Sequence, residues 1–238
     1  INLVNLTQNL NFFRGKKFPL SMGIKSAKYD LLLLTDADCV PNSNQWIRGM
    51  IGTYNNNTEI VVGYGPYFER KGLLNKLIRF DTLYIAMQYI SLALAQKPYM
   101  GVGRNLSYRK STFLKNKGFT SHYNIPSGDD DLFISQVANK KNTAVCIDAV
   151  NRVESEPKKT WATWIRQKRR HYSTGIKYKP QTNRILGILL GSRLAYYPTL
   201  IALFFMPQAL EISLGNIYYY VILGLLALLH YITMFIIY

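Results

Sequence analysis

The chain changes character at Ile185, and this change limits what it can fold into. Charged side chains are frequent over residues 1–184, whereas from Ile185 to the end only Arg193 and Glu211 are charged. About 20 consecutive apolar residues are enough to cross the hydrocarbon core of a bilayer. The sequence therefore predicts a domain over residues 1–184, followed by a membrane region over residues 185–238.

Two apolar stretches of the tail are long enough to be transmembrane helices. The first is Leu194–Ile212, which contains Pro198 and Pro207, and the second is Ile217–Tyr238. Proline is tolerated in membrane helices because neighbouring groups satisfy the backbone that it frees. We therefore predict one or two transmembrane helices, with the second stretch the stronger candidate.

The formal net charge of +16 is concentrated just before the apolar tail. Positive charge beside a membrane helix marks its cytoplasmic side, which predicts an inner-membrane protein whose folded domain faces the cytoplasm. The membrane tail and the acidic clusters argue against a nucleic-acid partner. A non-catalytic basic membrane protein or scaffold is the alternative. The basic run consists of Lys158, Lys159, Arg166, Lys168, Arg169, Arg170, Lys177, Lys179 and Arg184.

Apolar patterns in residues 1–184 predict strands that alternate with helices. This order favours an α/β domain with a mostly parallel sheet and flanking helices. The predicted strands are Ile1–Leu6, Tyr29–Thr35, Ile60–Tyr67, Val102–Tyr108 and Ala144–Val150. The predicted helices are Leu20–Ser26, Asn44–Tyr54, Leu73–Ala95, Asp130–Asn139 and Thr160–Tyr172.

Two carboxylates, Asp36 and Asp38, directly follow the four leucines of the second predicted strand. Open α/β folds bind ligands beyond the carboxyl ends of their strands. Hard divalent cations such as Mg²⁺ and Mn²⁺ prefer oxygen ligands and also accept phosphate oxygens. The pair is therefore a candidate metal site, although an exposed acidic strand end would have the same sequence.

Three consecutive carboxylates, Asp129, Asp130 and Asp131, lie directly before an apolar helical pattern. An aspartate in this position can cap the helix and complement its dipole. Such caps do not prevent another aspartate of the run from pointing into a cleft as a general base.

A basic and aromatic segment, Arg166–Tyr172, completes the set of polar motifs. Its basic side chains can neutralise a diphosphate, or they can simply be solvated at a membrane surface. The Gly101–Asn105 segment has two glycines that permit close backbone approach. It lacks the third glycine of a dinucleotide-binding fingerprint.

Taken in order, these motifs resemble those of family 2 glycosyltransferases with the GT-A fold. The matching stretches are Gly15–Lys17, Leu31–Cys39 ending in D-x-D, Gly101–Tyr108, Gly128–Leu132 and Gln167–His171, followed by membrane helices. Members of this family begin with two further strand–loop units that hold the donor nucleotide. The resemblance therefore implies a partial catalytic domain whose N-terminal donor-binding strands are missing.

The resemblance also implies roles for individual residues. Asp38 is the expected direct metal ligand, and Asp36 is the second ligand, nearer the nucleotide. Asp129 is the expected catalytic base and Asp130 its rival, since Gly128 occupies the position of the family's glutamate. Lys17, Gln167, Arg169, Arg170 and His171 are expected to bind the donor diphosphate, with His171 replacing the tryptophan of Q-x-x-R-W. Gly103, Arg104 and Asn105 are expected on the acceptor side.

The implied reaction moves a sugar, with inversion, from a nucleotide-diphosphate donor to an acceptor hydroxyl. The expected donor is a UDP-sugar, and the expected cofactor is Mg²⁺ or Mn²⁺. The membrane tail and basic run favour a lipid-linked or polysaccharide acceptor at the cytoplasmic membrane face.

Overall fold

The computed structural model of the chain describes residues 15–209 together with residues 220, 221, 224, 225 and 227. The described residues divide into two compact units between Lys179 and Pro180. The predicted strand Ile1–Leu6 lies outside this range, and the predicted transmembrane helix Ile217–Tyr238 lies almost wholly outside it.

A four-stranded mixed sheet forms the centre of the first unit. Its strands are β1 (Leu31–Leu34), β3 (Ile60–Gly63), β4 (Leu106–Arg109) and β5 (Thr143–Cys146). Their order in the sheet is β1-β4-β3-β5. The middle strand β4 is antiparallel to both β1 and β3, while β3 and β5 are parallel. Three of the four strands therefore point the same way, and the antiparallel β4 makes the sheet mixed.

A second, two-stranded ladder pairs β2 (Cys39–Pro41) antiparallel with β6 (Val153–Ser155). This ladder has no signal in the sequence, because each strand has three residues and the two are far apart in the chain. Its position matters for the site, since β2 begins directly after the D-x-D segment.

Helices flank the sheet, and most of them lie where the apolar periodicity predicts them. In the first unit they are α1 (Lys17–Ser26), α2 (Trp46–Gly52), α3 (Leu73–Leu94), α4 (Lys110–Lys115), α5 (Asp131–Val137) and α6 (Trp161–Gly175), and the second unit contains α7 (Pro180–Ala209). The side chain of Thr160 caps α6 by accepting a hydrogen bond from the Thr163 backbone N–H at 3.3 Å. Only α4 was not predicted from the sequence.

The core has an apolar and an aromatic part. Trp46 and Met50 of α2 pack with Val61, Cys146 and Val153. A cluster of four rings, with centroids 5.0–6.3 Å apart, is formed by Tyr108, Phe113, Phe119 and Phe133. The four leucines of β1 are only half-buried, although an unbroken apolar run is typical of a strand that is buried on both faces. In the described part of the chain, β1 has a single sheet neighbour, β4.

The second unit contains α7, which begins at Pro180 and continues past residue 185. Proline suits the first position of a helix, where its missing N–H is not needed. Residues Pro180–Ala202 of α7 are long and apolar enough to cross a membrane. This candidate span starts earlier than the predicted Leu194–Ile212, because α7 is continuous through residues 185–193.

Candidate active site

Asp36 and Asp38 lie in the short turn that connects β1 to β2. The Cys39 backbone N–H donates to the Asp36 carbonyl at 3.1 Å, which closes this turn. One ligand atom from each of Asp36, Asp38 and Cys39 lies within 4.8 Å of the other two. The sheet therefore presents two carboxylates and a thiol together at the end of β1.

The chemistry of this group fits a hard divalent cation. Burial raises the pKa of the Cys39 thiol above its ordinary value, so the thiol stays protonated near neutral pH and is a poor ligand. The carboxylates of Asp36 and Asp38 supply the oxygen atoms that Mg²⁺ and Mn²⁺ prefer. Two protein carboxylates leave the remaining coordination positions for water and phosphate oxygens.

The three consecutive aspartates have three different environments. Asp130 is the N-cap of α5: one carboxylate oxygen accepts from the Asp131 N–H at 2.9 Å and the other from the Gly103 N–H at 2.8 Å. Asp131 is buried and accepts hydrogen bonds from the Leu132 N–H and from the hydroxyls of Thr174 and Tyr178. Both carboxylates are therefore occupied by structural hydrogen bonds.

Asp129 instead faces the open cleft, with its side chain only 8% exposed. Burial and the neighbouring charge of Asp130 raise the pKa of the Asp129 carboxyl, and Lys16 opposes this rise. Lys16 lies between two carboxylates, with its Nζ 3.1 Å from Asp129 and 2.8 Å from Asp36. Burial lowers the pKa of Lys16, but the carboxylates around it outweigh burial and raise that pKa. Lys16 thus stays charged and links the D-x-D turn to Asp129.

The family resemblance implies a glutamate at position 128, where this chain has glycine. The backbone at Gly128 explains this difference. Its φ is +95°, a left-handed conformation that side-chain-bearing residues rarely adopt. A Cβ at Gly128 would also lie 2.4 Å from the Leu132 side chain. The local backbone therefore requires glycine before Asp129.

Lys17 was expected to bind the donor diphosphate, but it is not among the residues that line the cleft. Its side chain is buried, and its Nζ donates to the carbonyls of His122 at 2.6 Å and Ile125 at 2.8 Å. This lysine therefore secures the loop before the aspartates and does not line the cleft. Its neighbour Lys16 takes the position beside the carboxylates, because the two side chains leave the start of α1 in different directions.

The Gly103–Asn105 segment is only partly on the cleft. Gly103 and Arg104 line it, and the Arg104 guanidinium stacks over the Tyr67 ring at 4.2 Å. Asn105 is fully buried, and its Oδ1 accepts from the Trp46 indole N–H at 2.9 Å. The Asn105 amide also donates to two backbone carbonyls. The predicted acceptor-side role of Asn105 is therefore wrong: its side chain ties the sheet to α2.

Helix α6 presents one of its faces to the same cleft. Gln167, Arg170 and His171 line the cleft together, as the i, i+3, i+4 spacing of one helical face requires. Gln167 Nε2 donates to the Tyr67 hydroxyl at 3.1 Å. Arg169 is exposed and is not among the cleft-lining residues. Its predicted diphosphate contact is not supported, because residue 169 points away from the face that carries Gln167.

The cleft has a volume of about 490 Å³ and brings most of the predicted residues together. Several lining residues were not among the predicted site residues: Lys16, Tyr67, Ser155, Glu156 and Lys158. Lys16 belonged to the Gly15–Lys17 stretch that matches the family, and Lys158 belonged to the basic run. Tyr67 and Ser155 had no sequence signal, since only the folded chain brings β6 beside the segment after β3, where Tyr67 and Ser155 form a bridge.

Comparison with known proteins gives a family and a fold. The family described as glycosyl transferase family group 2 matches residues 33–238. A solved mannosyltransferase from Pyrobaculum calidifontis, in complex with GDP-Man and Mn²⁺, is similar with a TM-score of 0.54 and 18% identity. That alignment covers 95% of this chain and 63% of the mannosyltransferase, so the chain spans less than two thirds of its length.

A second similar structure is mannosyl-3-phosphoglycerate synthase from Rubrobacter xylanophilus, with a TM-score of 0.37 and 16% identity. This alignment covers 65% of the chain and 47% of that protein. A comparison with curated proteins finds no match. The family match extends over most of the sequence, and the fold agrees with that of the first structure. The chain therefore belongs to the family 2 glycosyltransferases and has their GT-A fold.

Proposed function

We propose that this glycosyltransferase moves a sugar from a nucleotide-diphosphate donor to an acceptor hydroxyl in a single, inverting displacement. The acceptor oxygen forms a bond to the anomeric carbon while the bond to the diphosphate oxygen breaks. The acceptor proton passes to the enzyme, and the nucleoside diphosphate leaves with the bonding electrons. The transition state has oxocarbenium character, as in other glycosyl chemistry.

Asp129 is the proposed base that takes the acceptor proton. Among the three consecutive aspartates, it is the one whose carboxylate is not held by structural hydrogen bonds to α5 or α6. A buried carboxylate with a raised pKa is a better proton acceptor than an ordinary one. Lys16, at 3.1 Å, favours the ionised form that must accept the proton.

Asp38 and Asp36 are the proposed ligands of a divalent cation, Mg²⁺ or Mn²⁺. When bound, such a cation supplies positive charge to the donor diphosphate as negative charge develops there. Arg170, Lys16 and Lys158 line the same cleft and are proposed to stabilise the leaving diphosphate electrostatically. The Mn²⁺ in the similar mannosyltransferase supports this assignment.

The donor and acceptor are proposed at the level of chemical class. The resemblance favours a UDP-sugar, and the mannosyltransferase binds GDP-Man, so both nucleotides belong in a donor test. The proposed acceptor is a lipid-linked molecule or a growing polysaccharide at the cytoplasmic face of the inner membrane. The apolar α7 and the basic run before it support this location.

The observation that carries the proposal is the pair of ion pairs that Lys16 forms with Asp36 and Asp129. These ion pairs bring the D-x-D turn and Asp129 to one cleft.

The test compares Asp129→Asn with Asp130→Asn in the full-length enzyme. Turnover of a nucleotide-sugar is measured, and NMR identifies the anomer of the product. Asp129→Asn should lose about 10²- to 10⁴-fold in turnover yet retain donor binding. An inactive, folded Asp130→Asn beside an active Asp129→Asn would move the base to Asp130.

A further inference from the structure

The segment that leads to Asp129 is held from one side by the start of α1. We call residues 122–128 the base loop, because they precede the proposed base. The Lys17 Nζ donates to the carbonyls of His122 at 2.6 Å and Ile125 at 2.8 Å. The contacts of this lysine therefore fix the first half of the base loop and end before the residues next to Asp129.

Gly128 connects the fixed half of the base loop to Asp129. Its φ is +95°, and glycine has access to more backbone conformations than any other residue. The direction in which Asp129 leaves the loop is therefore not fixed by the local backbone alone. A contact from elsewhere in the fold must hold Gly128 if the Asp129 carboxylate is to keep one orientation.

The imidazole of His122 lies behind the base loop and is buried, with 8% of the residue exposed. Its ring packs edge-on against Phe119, with centroids 5.9 Å apart. Its Nδ1 lies 2.9 Å from the Ser121 hydroxyl. Its Nε2 is also buried, and it has no hydrogen-bond partner among the described residues. Buried polar atoms are seldom left unpaired, so this nitrogen indicates a partner that it meets in another state of the enzyme.

The backbone of Gly128 is the group that fits this partner. Burial and the charge of Lys17 lower the pKa of His122 to about 4, and the Gly128 backbone opposes this decrease. A backbone group that favours the protonated ring is a carbonyl, because an acceptor stabilises the added N–H. The ring is neutral near pH 7 and has one N–H to donate. Since Nδ1 lies beside Ser121, Nε2 is the nitrogen available to the carbonyl.

We propose that His122 is a positioning residue for the base. In the reacting complex its Nε2–H donates to the Gly128 carbonyl, and this bond holds the Asp129 carboxylate toward the acceptor hydroxyl. Catalytic hydrogen bonds are often long in the free enzyme and shorten when the reacting complex forms. His122 is not among the residues that line the cleft, so it acts through Asp129 and not on the substrate. The inference rests on the proposed role of Asp129.

A comparison of His122→Gln with His122→Asn tests the inference in the full-length enzyme. Glutamine places an amide N–H near the position of Nε2, whereas asparagine places it near Nδ1. Turnover of UDP- and GDP-sugars is measured as release of the nucleoside diphosphate. We expect His122→Asn to lower kcat by about 10- to 100-fold and His122→Gln to stay within about threefold of wild type. The KM for the nucleotide-sugar should change in neither variant. Equal kcat values in the two variants overturn the proposal.

Stability measurements and a surface variant separate positioning from a merely structural role. Both His122 variants remove the ring from Phe119, so denaturant unfolding should show similar losses of stability in the two. Ser121→Ala, at an exposed residue, keeps the ring and removes the contact that orients it. Its kcat should fall by at least about threefold without a change in stability. Ser26→Ala, at an exposed serine of α1, should behave as wild type. Wild-type kcat in Ser121→Ala contradicts the proposal, even if neither His122 variant folds.

A double-mutant cycle distinguishes failure of this inference from failure of the proposed function. Adding His122→Asn to Asp129→Asn should cause no further loss of turnover, because His122 acts only through the Asp129 carboxylate. An equal further loss in the double variant would show that His122 acts elsewhere, and it would refute the inference while leaving Asp129 as the base. An active Asp129→Asn would refute the proposed base, and the positioning role of His122 with it.

Discussion

At the scale of single residues, the cleft is organised by charges that must be held close together. Lys16 lies within 3.1 Å of both Asp36 and Asp129, next to the D-x-D turn. Without this cation, the carboxylates of Asp36 and Asp129 would have no positive charge between them in a partly buried space, where like charges repel strongly. Asp38 and Lys16 are therefore the residues whose substitution tests the electrostatics of the site most directly.

Asp38→Asn should lower turnover by at least about 10²-fold, because a bound cation stabilises developing charge by several kcal/mol. The variant should also respond more weakly to added Mn²⁺. Turnover is measured across a Mn²⁺ titration of the full-length enzyme. Glu69→Gln, at an exposed carboxylate of the same domain, is the control and should behave as wild type. Turnover and Mn²⁺ response equal to those of the wild type in Asp38→Asn would exclude the metal role.

Lys16→Met should move the acid limb of the pH–rate profile to higher pH. Lys16 lowers the pKa of Asp129, against burial and Asp130, which raise it. Removing Lys16 therefore raises that pKa further, and the base becomes protonated at a higher pH. The profile of kcat/KM against pH measures the shift. Lys16→Arg should restore the limb, and Lys115→Met, at an exposed lysine of α4, should not move it.

At the scale of elements, buried polar side chains join parts of the chain that are distant in sequence. Asn105 connects β4 to α2 through the Trp46 indole and to the carbonyls of Tyr64 and Asn151. At a second point, Asp131 of α5 accepts hydrogen bonds from Thr174 and Tyr178, at and beyond the end of α6. Burial and the charge of Asp130 raise the pKa of Asp131 to about 6. The contacts of Asp131 hold together α5 and α6, and residues of both helices line the cleft.

Asn105→Ala should lower the free energy of unfolding by at least about 2 kcal/mol, because it leaves one buried donor and two carbonyls without their partner. Denaturant unfolding of the detergent-solubilised protein measures the change. Asn44→Ala, at an exposed asparagine just before α2, should change stability by less than about 0.5 kcal/mol. Similar stabilities for the two variants would show that Asn105 has no structural role.

The elements themselves were largely predictable from the sequence, and the side-chain partners were not. The runs Leu31–Leu34 and Ile60–Val62 predicted strands because apolar periodicity is a local property. The burial of Lys17 and Asn105 depends on carbonyls that are distant in the chain, and no local pattern reports these. The outward position of Arg169 was predictable in principle, since helical spacing separates it from Gln167.

At the scale of the whole molecule, the sequence divides into a charged, folded unit and an apolar one. The division lies at Pro180 in the structure and was predicted at 185. The change in charge density was a reliable signal because it extends over many residues. The boundary itself was less predictable, since α7 begins within the polar segment that precedes the apolar run.

A membrane-impermeant maleimide should not label Lys177→Cys in intact cells and should label it after permeabilisation. The reason is that basic segments beside a membrane helix stay on the cytoplasmic side. The variant is made with Cys39→Ser and Cys146→Ser, which remove the two native cysteines. Labelling of intact cells from the periplasmic side would reverse the predicted orientation.

The antiparallel position of β4 also determines when the sheet can form during synthesis. Among the described strands, β1 pairs only with β4, and β3 pairs with β4 and β5; both partners are made later than β1 and β3. About 75 residues separate the end of β1 from the end of β4, so the ribosome needs roughly 4–15 s to complete the pairing partner. Among the described strands, the leucines of β1 and the valines of β3 have no partner during this interval. We therefore expect chaperones that shield apolar segments to bind the nascent chain until β4 emerges.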